Sequence, residues 1–487
     1  MQPSQMHQPP ANRWAAFAVL LTASFMNVMD VTIVNVAMPT LKTDFDASPN
    51  KIEWVVAVYV FVFALLLLPC GRLGDILGRR KMFVWGVALF TLASGLCGVA
   101  WSVDSLIGAR VLQGVGAAMM SPQAMALIPA LFAPNERGSA FSFFALAAGL
   151  ASVSGPIIGG LLIGGNLFGL DWRPIFLVNV PVGLITIMLA IRLVPDVAGD
   201  RKIGIDGVGI LLAGFALFSA LVPLVEAPGI GWQTWMWFFV IASPISAVSF
   251  AKWEHRQASL GRPQLIPVTL MKKKSFISGG ILVGLLFSGV PGFFLVMALY
   301  LQEGFGLSPL WSGLTVTPFS VGILLTSPVS KRLGNRYLRE RVVAGSLTLA
   351  AAHVALHFVV LAEQGTYSWI GFAPILFCAG FGLGSTTGPL FQIALSGASG
   401  TDTGSASGAS RAIQQVGSAF GIAILGGIFF GTLGNTPDAG MSAYTAAMIA
   451  SLYYTISVFL ILAASAFFLR IKADPYSEDA AHAPVTE

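Results

Sequence analysis

Charge is what this 487-residue chain lacks: Asp, Glu, Lys and Arg together make up only 10% of it. A soluble chain of this length covers its surface with roughly 25% charged residues, so lipid must replace water over much of this exterior. Cysteine is also scarce. The three present, Cys70, Cys97 and Cys378, lie singly inside apolar runs, which excludes a disulfide framework or a thiolate metal site and marks them as buried packing residues. The net charge is +5, yet Lys and Arg form short runs between apolar stretches and not the clustered basic face that nucleic acid requires. No GxxxxGK[ST] run is present, which argues against an ATP-driven pump. No nucleophile–base or metal set converges, so no enzymatic activity and no cofactor are expected. A cleavable signal peptide is not expected either, because the first apolar run is longer than an h-region.

What is present is apolar length. Hydrophobic residues make up 55% of the chain and the mean hydropathy is +0.79. A hydrocarbon layer of about 30 Å needs about 20 apolar residues in a helix, and fourteen runs qualify: near 15–38, 54–70, 82–101, 105–128, 139–164, 175–194, 207–226, 234–253, 276–299, 311–330, 342–362, 368–391, 406–431 and 443–469. With the N-terminus and every second loop on one side, 22 of the 27 Lys and Arg residues fall on that side. Three, Lys42, Lys51 and Arg173, fall on the other, and Arg110 and Arg411 lie within spans. The positive-inside rule makes the rich side cytoplasmic, with both termini there. A polar linker from about 254 to 275 ends in Lys272-Lys273-Lys274, which reads as an anchor at the lipid surface, and the polar tail after Ala473 is expected to be disordered.

The chain also echoes itself. Gly71-Arg-Leu-Gly-Asp75-Ile-Leu-Gly78-Arg-Arg80 follows the second span, and Ser327-Pro-Val-Ser-Lys331-Arg-Leu-Gly334-Asn-Arg336 follows the tenth. The shared Leu-Gly-x-Arg suggests two homologous six-span halves with spans seven and eight inserted, a duplication typical of secondary transporters. The expected organisation is residues 1–195 for the first half, 196–275 for the inserted helices, 276–473 for the second half and 474–487 for the tail.

Of the 22 acids, Asp30 alone lies deep within these spans. Insertion scales put a mid-membrane Asp at about +2.5 to +3.5 kcal/mol, so it needs water or a partner. Asn27, one turn earlier, makes a polar patch with it. Asp30 reads as a proton carrier, or alternatively as a structural acid held in an ion pair. Arg110, in Arg110-Val-Leu-Gln113-Gly-Val-Gly116, cannot lose its proton. Asp30 is its natural electrostatic partner; the alternative is an Arg packed against helix ends. Gly155-Pro156-Ile-Ile-Gly159-Gly160 combines a residue that removes a helical hydrogen bond with small residues that let helices approach closely, a composition suited to a gate or hinge.

Together these runs resemble motifs A, B and C of the major facilitator superfamily, and Asp30-Val-Thr-Ile-Val-Asn35-Val-Ala-Met-Pro39 is similar to the first-helix motif of its 14-span drug:proton antiporters. The resemblance covers most of the chain. It implies an all-α integral membrane fold of fourteen helices: two pseudo-symmetric six-helix halves plus two inserted central helices. It implies Asp30 and Arg110 as the proton-coupling pair, and Gly71, Arg72, Gly74, Asp75, Gly78, Arg79 and Arg80 as a cytoplasmic conformational lock. Gly155, Pro156, Gly159 and Gly160 would form the gate, and Asn27, Asn35, Gln113, Arg411 and Gln414 would border the cavity. The implied activity is proton-coupled export of small lipophilic or cationic compounds by alternating access, in a monomer of the bacterial cytoplasmic membrane that uses the proton gradient and no cofactor. The alternatives are a dedicated exporter of one endogenous metabolite and, from another class, a channel or scaffold.

The chain departs from that pattern in two places. Lys331 stands where the first half has Asp75, and Arg411 precedes Gln414-Gln415 where the subfamily shows Asn and then Arg-Gln. Arg411 either faces the cavity and disfavours cations, or snorkels towards the cytoplasm and meets Asp402. His353 and His357, one turn apart, fall short of the three or four ligands a metal needs and read as a pH-sensitive or a merely packed pair. The 35 Phe residues, Phe293-Phe294 and Phe429-Phe430 among them, are expected mostly to face lipid, with some available to line an apolar cavity for lipophilic cations.

Overall fold

Inside a hydrocarbon layer each backbone N–H and C=O must be bonded within its own segment, and apolar runs of this length meet that demand as helices. The computed structural model describes residues 12–132, 136–166, 169–196, 199, 204–333, 337–363, 366–395, 403–434 and 440–468, with no strand among them. The long helical segments are α1 (Arg13–Asp44), α2 (Pro49–Leu77), α3 (Arg79–Gly98), α4 (Val103–Ala126), α5 (Arg137–Gly164), α6 (Pro174–Leu193), α7 (Gly207–Ile230), α8 (Met236–Ser259), α9 (Lys274–Gly304), α10 (Pro309–Leu333), α11 (Leu338–Ala362), α12 (Trp369–Leu395), α13 (Thr403–Leu433) and α14 (Met441–Phe467). Each run expected from sequence lies on one of them. Twelve are long and apolar enough to cross a membrane. The two others are α4, which carries Asp104, Arg110, Gln113 and Gln123, and α5, whose described apolar stretch is the shorter Ser154–Gly164.

α1 to α6 pack on one another, and so do α9 to α14. The two groups meet along α2–α13, α5–α10 and α1–α9. α7 lies against both α2 and α13, while α8 packs chiefly on α7 and turns Trp237, Phe238, Ile241 and Ile245 outward. Close approach explains much of the glycine: a methyl group on Gly116 of α4 would sit 2.5 Å from the Phe90 backbone nitrogen of α3. Packing in lipid gains little from hydrophobicity and depends on such contact.

Three expectations are corrected. α2 begins at Pro49 and not near 54, because Pro suits the first helical turn; this brings Glu53 inside the helix, so Asp30 is not alone among deep acids. Cys378 is exposed on α12, since a thiol is apolar enough to face lipid. Phe293, Phe429 and Phe430 are buried between helices, where stacked rings fill volume that aliphatic side chains would leave open. Gly334, Asn335, Arg336, Asp402 and the tail 474–487 lie outside the described residues.

Candidate functional site

Asp30 lies midway along α1 and is fully buried. Its Oδ2 accepts from Arg110 Nη1 at 2.5 Å, and its Oδ1 accepts from Gln113 Nε2 at 2.7 Å and Asn179 Nδ2 at 3.4 Å. Arg110 and Gln113, three residues apart on α4, therefore point the same way, as helical spacing requires. Gln113 Nε2 also donates to Ser94 Oγ at 2.9 Å, while its Oε1 accepts from Arg110 Nη1 at 2.6 Å. Arg110 Nε donates to the Val55 carbonyl at 3.1 Å, and the guanidinium lies 4.1 Å from the centre of the Tyr59 ring. Tyr59 in turn accepts from Asn27 Nδ2 at 3.2 Å.

The site is thus a buried polar core inside the first helix group, assembled from α1, α2, α3, α4 and α6. Asp30, Arg110, Gln113 and Asn27 were legible in the sequence. Ser94, Asn179 and Tyr59 were not; their signal was a single polar side chain within an apolar span, which is common in membrane helices. Three neutral or cationic donors converge on one carboxylate, and every partner but Arg110 can rearrange without leaving an unpaired charge. Adding a proton to Asp30 would remove the charge facing Arg110 and reorganise the whole cluster.

The motif after α2 has a different geometry. Asp75 and Arg79 pair at 2.9 Å across the turn at Gly78, whose φ of 98° needs glycine. Arg79 also donates to the Ala126 carbonyl at the end of α4. Arg80 pairs with Asp196, beyond α6, at 2.8 Å, and the Arg72 guanidinium has no ion pair among the described residues. Gly74 admits the Gln123 side chain, which donates to the Cys70 carbonyl at 2.8 Å; Gly71 lies in ordinary contact with Pro122. These contacts fasten α2, α3 and α4 together within one helix group.

α5 presents two glycine faces. Gly155 and Gly159 lie on Thr32 and Ile33 of α1, whereas Gly160 lies on Leu310 of α10 in the other group. Gly313 of α10 returns the contact on the Pro156 carbonyl. At the same end of the molecule Lys42 Nζ meets Glu303 Oε2 at 2.8 Å. Tyr444 donates to that carboxylate at 2.9 Å, and Gln302 Nε2 reaches the Val36 carbonyl at 2.9 Å. This clasp between α1, α9 and α14 was not foreseen.

Arg411 and Gln414 are not part of the Asp30 cluster. On α13, Gly417 and Gly421 face α9, Gly408 and Gly426 face α2, and Ala423 faces α7. At 100° per residue Arg411 and Gln414 fall on the side opposite α7, towards the space between the two groups. Arg411 is exposed, and no ion pair or hydrogen bond of its guanidinium occurs among the described residues. Asn35, further along α1, is buried, and its Oδ1 has no partner among the described residues. His353 lies between the rings of Phe293 and Phe459 and bonds its own helix at Leu349. Among the described residues no three His, Cys, Asp or Glu side chains group as metal ligands would.

The chain matches the family model described as Major Facilitator Superfamily over residues 20–208 and 204–422. It is 39% identical to a probable actinorhodin transporter of Streptomyces coelicolor over 439 residues, 89% of this chain and 75% of that protein. It is 31% identical to the puromycin resistance protein pur8 of Streptomyces alboniger over 489 residues, 98% of this chain and 95% of that one. Among solved structures, a bacterial homologue of the human lysosomal transporter Spinster, inward-facing and occupied, superposes with a TM-score of 0.66 at 16% identity, covering 94% of this chain and 97% of that one; that likeness concerns the fold.

Proposed function

Since the chain belongs to the Major Facilitator Superfamily, a family of transporters, we propose that it is a proton-coupled antiporter that exports small lipophilic compounds by alternating access. The observation that carries this reading is the Asp30–Arg110 pair, fully buried in a membrane helix group at 2.5 Å. A buried ion pair is a poor source of stability, and an intramembrane acid is by default functional. Protonation of Asp30 releases Arg110 to Gln113 and the Val55 carbonyl, which changes the packing of α1 on α4 and α6. The membrane-crossing bundle is oriented with both termini in the bacterial cytoplasm, as the charge census implies.

On that orientation the Lys42–Glu303 clasp closes the outer end, and the Asp75–Arg79 and Arg80–Asp196 pairs brace the cytoplasmic end of the first group. Gly160 and Gly313 keep α5 and α10 in contact while the groups rock. One charge moved through 100 mV supplies about 2.3 kcal/mol and each pH unit about 1.4 kcal/mol, so one proton per cycle sustains a gradient on the order of 10²-fold for a neutral substrate. Arg411, exposed and without a partner among the described residues, favours neutral or acidic substrates over cationic ones.

The relatives named for actinorhodin and puromycin support antibiotic-like substrates. A second reading, dedicated export of one endogenous metabolite, draws on the relative at 39% identity being named for a single compound. A susceptibility panel in a sensitive host separates broad from single-compound export. The coupling itself is tested in proteoliposomes loaded with puromycin under an imposed ΔpH, native chain against Asp30→Asn: a mutant that still concentrates the compound on ΔpH alone refutes the mechanism.

A further inference from the structure

Glu53 of α2 is fully buried, and neither carboxyl oxygen has a hydrogen-bond partner among the described residues. It sits where the two helix groups meet. A methyl group on Gly426 of α13 would come within 2.6 Å of the Glu53 carboxyl carbon, so the carboxyl lies on bare backbone of the opposite group. α7 closes the groove beside it: Leu221 and Val225 pack on Ala423 of α13, with Trp54 and Phe61 of α2 against them. The same helix brings Glu226, whose carboxylate accepts from Asn50 Nδ2 at 3.1 Å and Trp54 Nε1 at 2.8 Å.

Consider the charges around this carboxyl. On α7 the nearest is Glu226, of like sign. On α2, Lys51 is engaged by Asp104 at 2.7 Å. On α1, Lys42 approaches the Phe430 ring of α13 at 5.9 Å but is held by Glu303. α13 carries no Lys or Arg beyond Arg411, which lies at the Leu68 end, far along the helix. An ionised Glu53 would therefore face a second carboxylate with no protein donor among the described residues, an arrangement burial does not tolerate. The neutral acid meets no such penalty.

We propose that Glu53 is a second proton-binding site, one that must be loaded before the two helix groups can close at this end and that releases its proton to water when they part. The inference rests on the alternating-access reading above. It also assigns a task to the first inserted helix: α7 seals the site and sets Glu226 against it, so closure with an ionised Glu53 is opposed. On the proposed orientation the site exchanges with the outside, and outer pH gates closure independently of Asp30.

The test needs no substrate. Infrared spectroscopy of the purified, reconstituted protein should show a neutral carboxylic-acid band at pH 7 that is lost in both Glu53→Gln and Glu53→Ala. Spin labels at Thr43→Cys and Thr432→Cys, with Cys378→Ser, report the opening of this end. Their separation should widen as pH rises in the parent protein and in Asp30→Asn, and should lose that response in Glu53→Gln, which mimics the loaded acid. An unchanged band in the Glu53 variants, a distance that ignores pH in the parent, or the same response in Glu53→Gln as in the parent each overturns the proposal. Failure of ΔpH-driven efflux for every compound of the susceptibility panel would instead overturn the transport reading and leave these measurements to decide Glu53.

Discussion

Arg110 Nη1 stands 2.5 Å from Asp30 Oδ2 with both side chains sealed from solvent, so removing either partner strands the other charge. Breaking such a pair costs about 3–5 kcal/mol. Asp30→Asn is therefore expected to lower the thermal stability of the purified protein as well as to abolish ΔpH-driven efflux. Asp30→Asn combined with Arg110→Gln removes both charges and should recover stability without efflux. Recovery of both in the double variant would show the pair to be structural only.

Gln113 is the hub of the same cluster, bonded at once to Asp30, Ser94 and Arg110. Gln113→Leu leaves buried polar groups unpaired, at about 1–3 kcal/mol. A fall of roughly 10-fold or more in coupled efflux rate is expected, with the helical content retained by circular dichroism. Asn179→Ala should have the smaller effect, since its contact with Asp30 is 3.4 Å long.

The Lys42–Glu303 clasp bridges the two helix groups and is only partly exposed. Glu303→Gln weakens it and also the bond from Tyr444. The expected outcome is a population shift of a few fold towards opening at that end, about 1 kcal/mol. Alkylation of a cysteine placed at Gln302 should accelerate accordingly; an unchanged rate would remove the clasp from the account.

Gly313 meets the Pro156 carbonyl with no room for a side chain. Gly313→Leu must push α10 away from α5 and should abolish efflux while the protein still reaches the membrane. Gly388, which has open space around it, serves as the control: Gly388→Ala should transport normally.

Arg411 falls on the side of α13 towards the space between the groups, with no partner among the described residues. Arg411→Gln should raise efflux of a lipophilic cation such as ethidium relative to an acidic aromatic probe such as salicylate, with Arg411→Lys retaining the native preference. A ratio unaffected by both substitutions would place Arg411 away from the substrate path.

Glycine and charge patterns made much of this readable in advance. Each apolar run became a helix, because backbone without water has no other solution in lipid. Asp30 and Arg110 were marked as partners by the same logic, since no charge at that depth is stable alone. The lock around Asp75 was implied by the family resemblance, whereas the turn at Gly78 and the choice of Arg79 as its partner came from the structure. The clasp of Lys42 with Glu303 was not readable in advance, because those residues are 261 positions apart and both sit among ordinary loop-end charges.

What the sequence by itself determined is the solvent, the helices and the deep charge pair, all consequences of local hydropathy and spacing. Tertiary structure alone decided which helix faces meet. It put Ser94, Asn179 and Tyr59 around Asp30, turned Phe429 inward and Cys378 outward, and laid Glu53 on Gly426 beneath α7. In lipid every outward face is as apolar as the inward one, so hydrophobic periodicity cannot tell them apart. Which polar groups converge is then settled by close packing between distant segments, which no local pattern encodes.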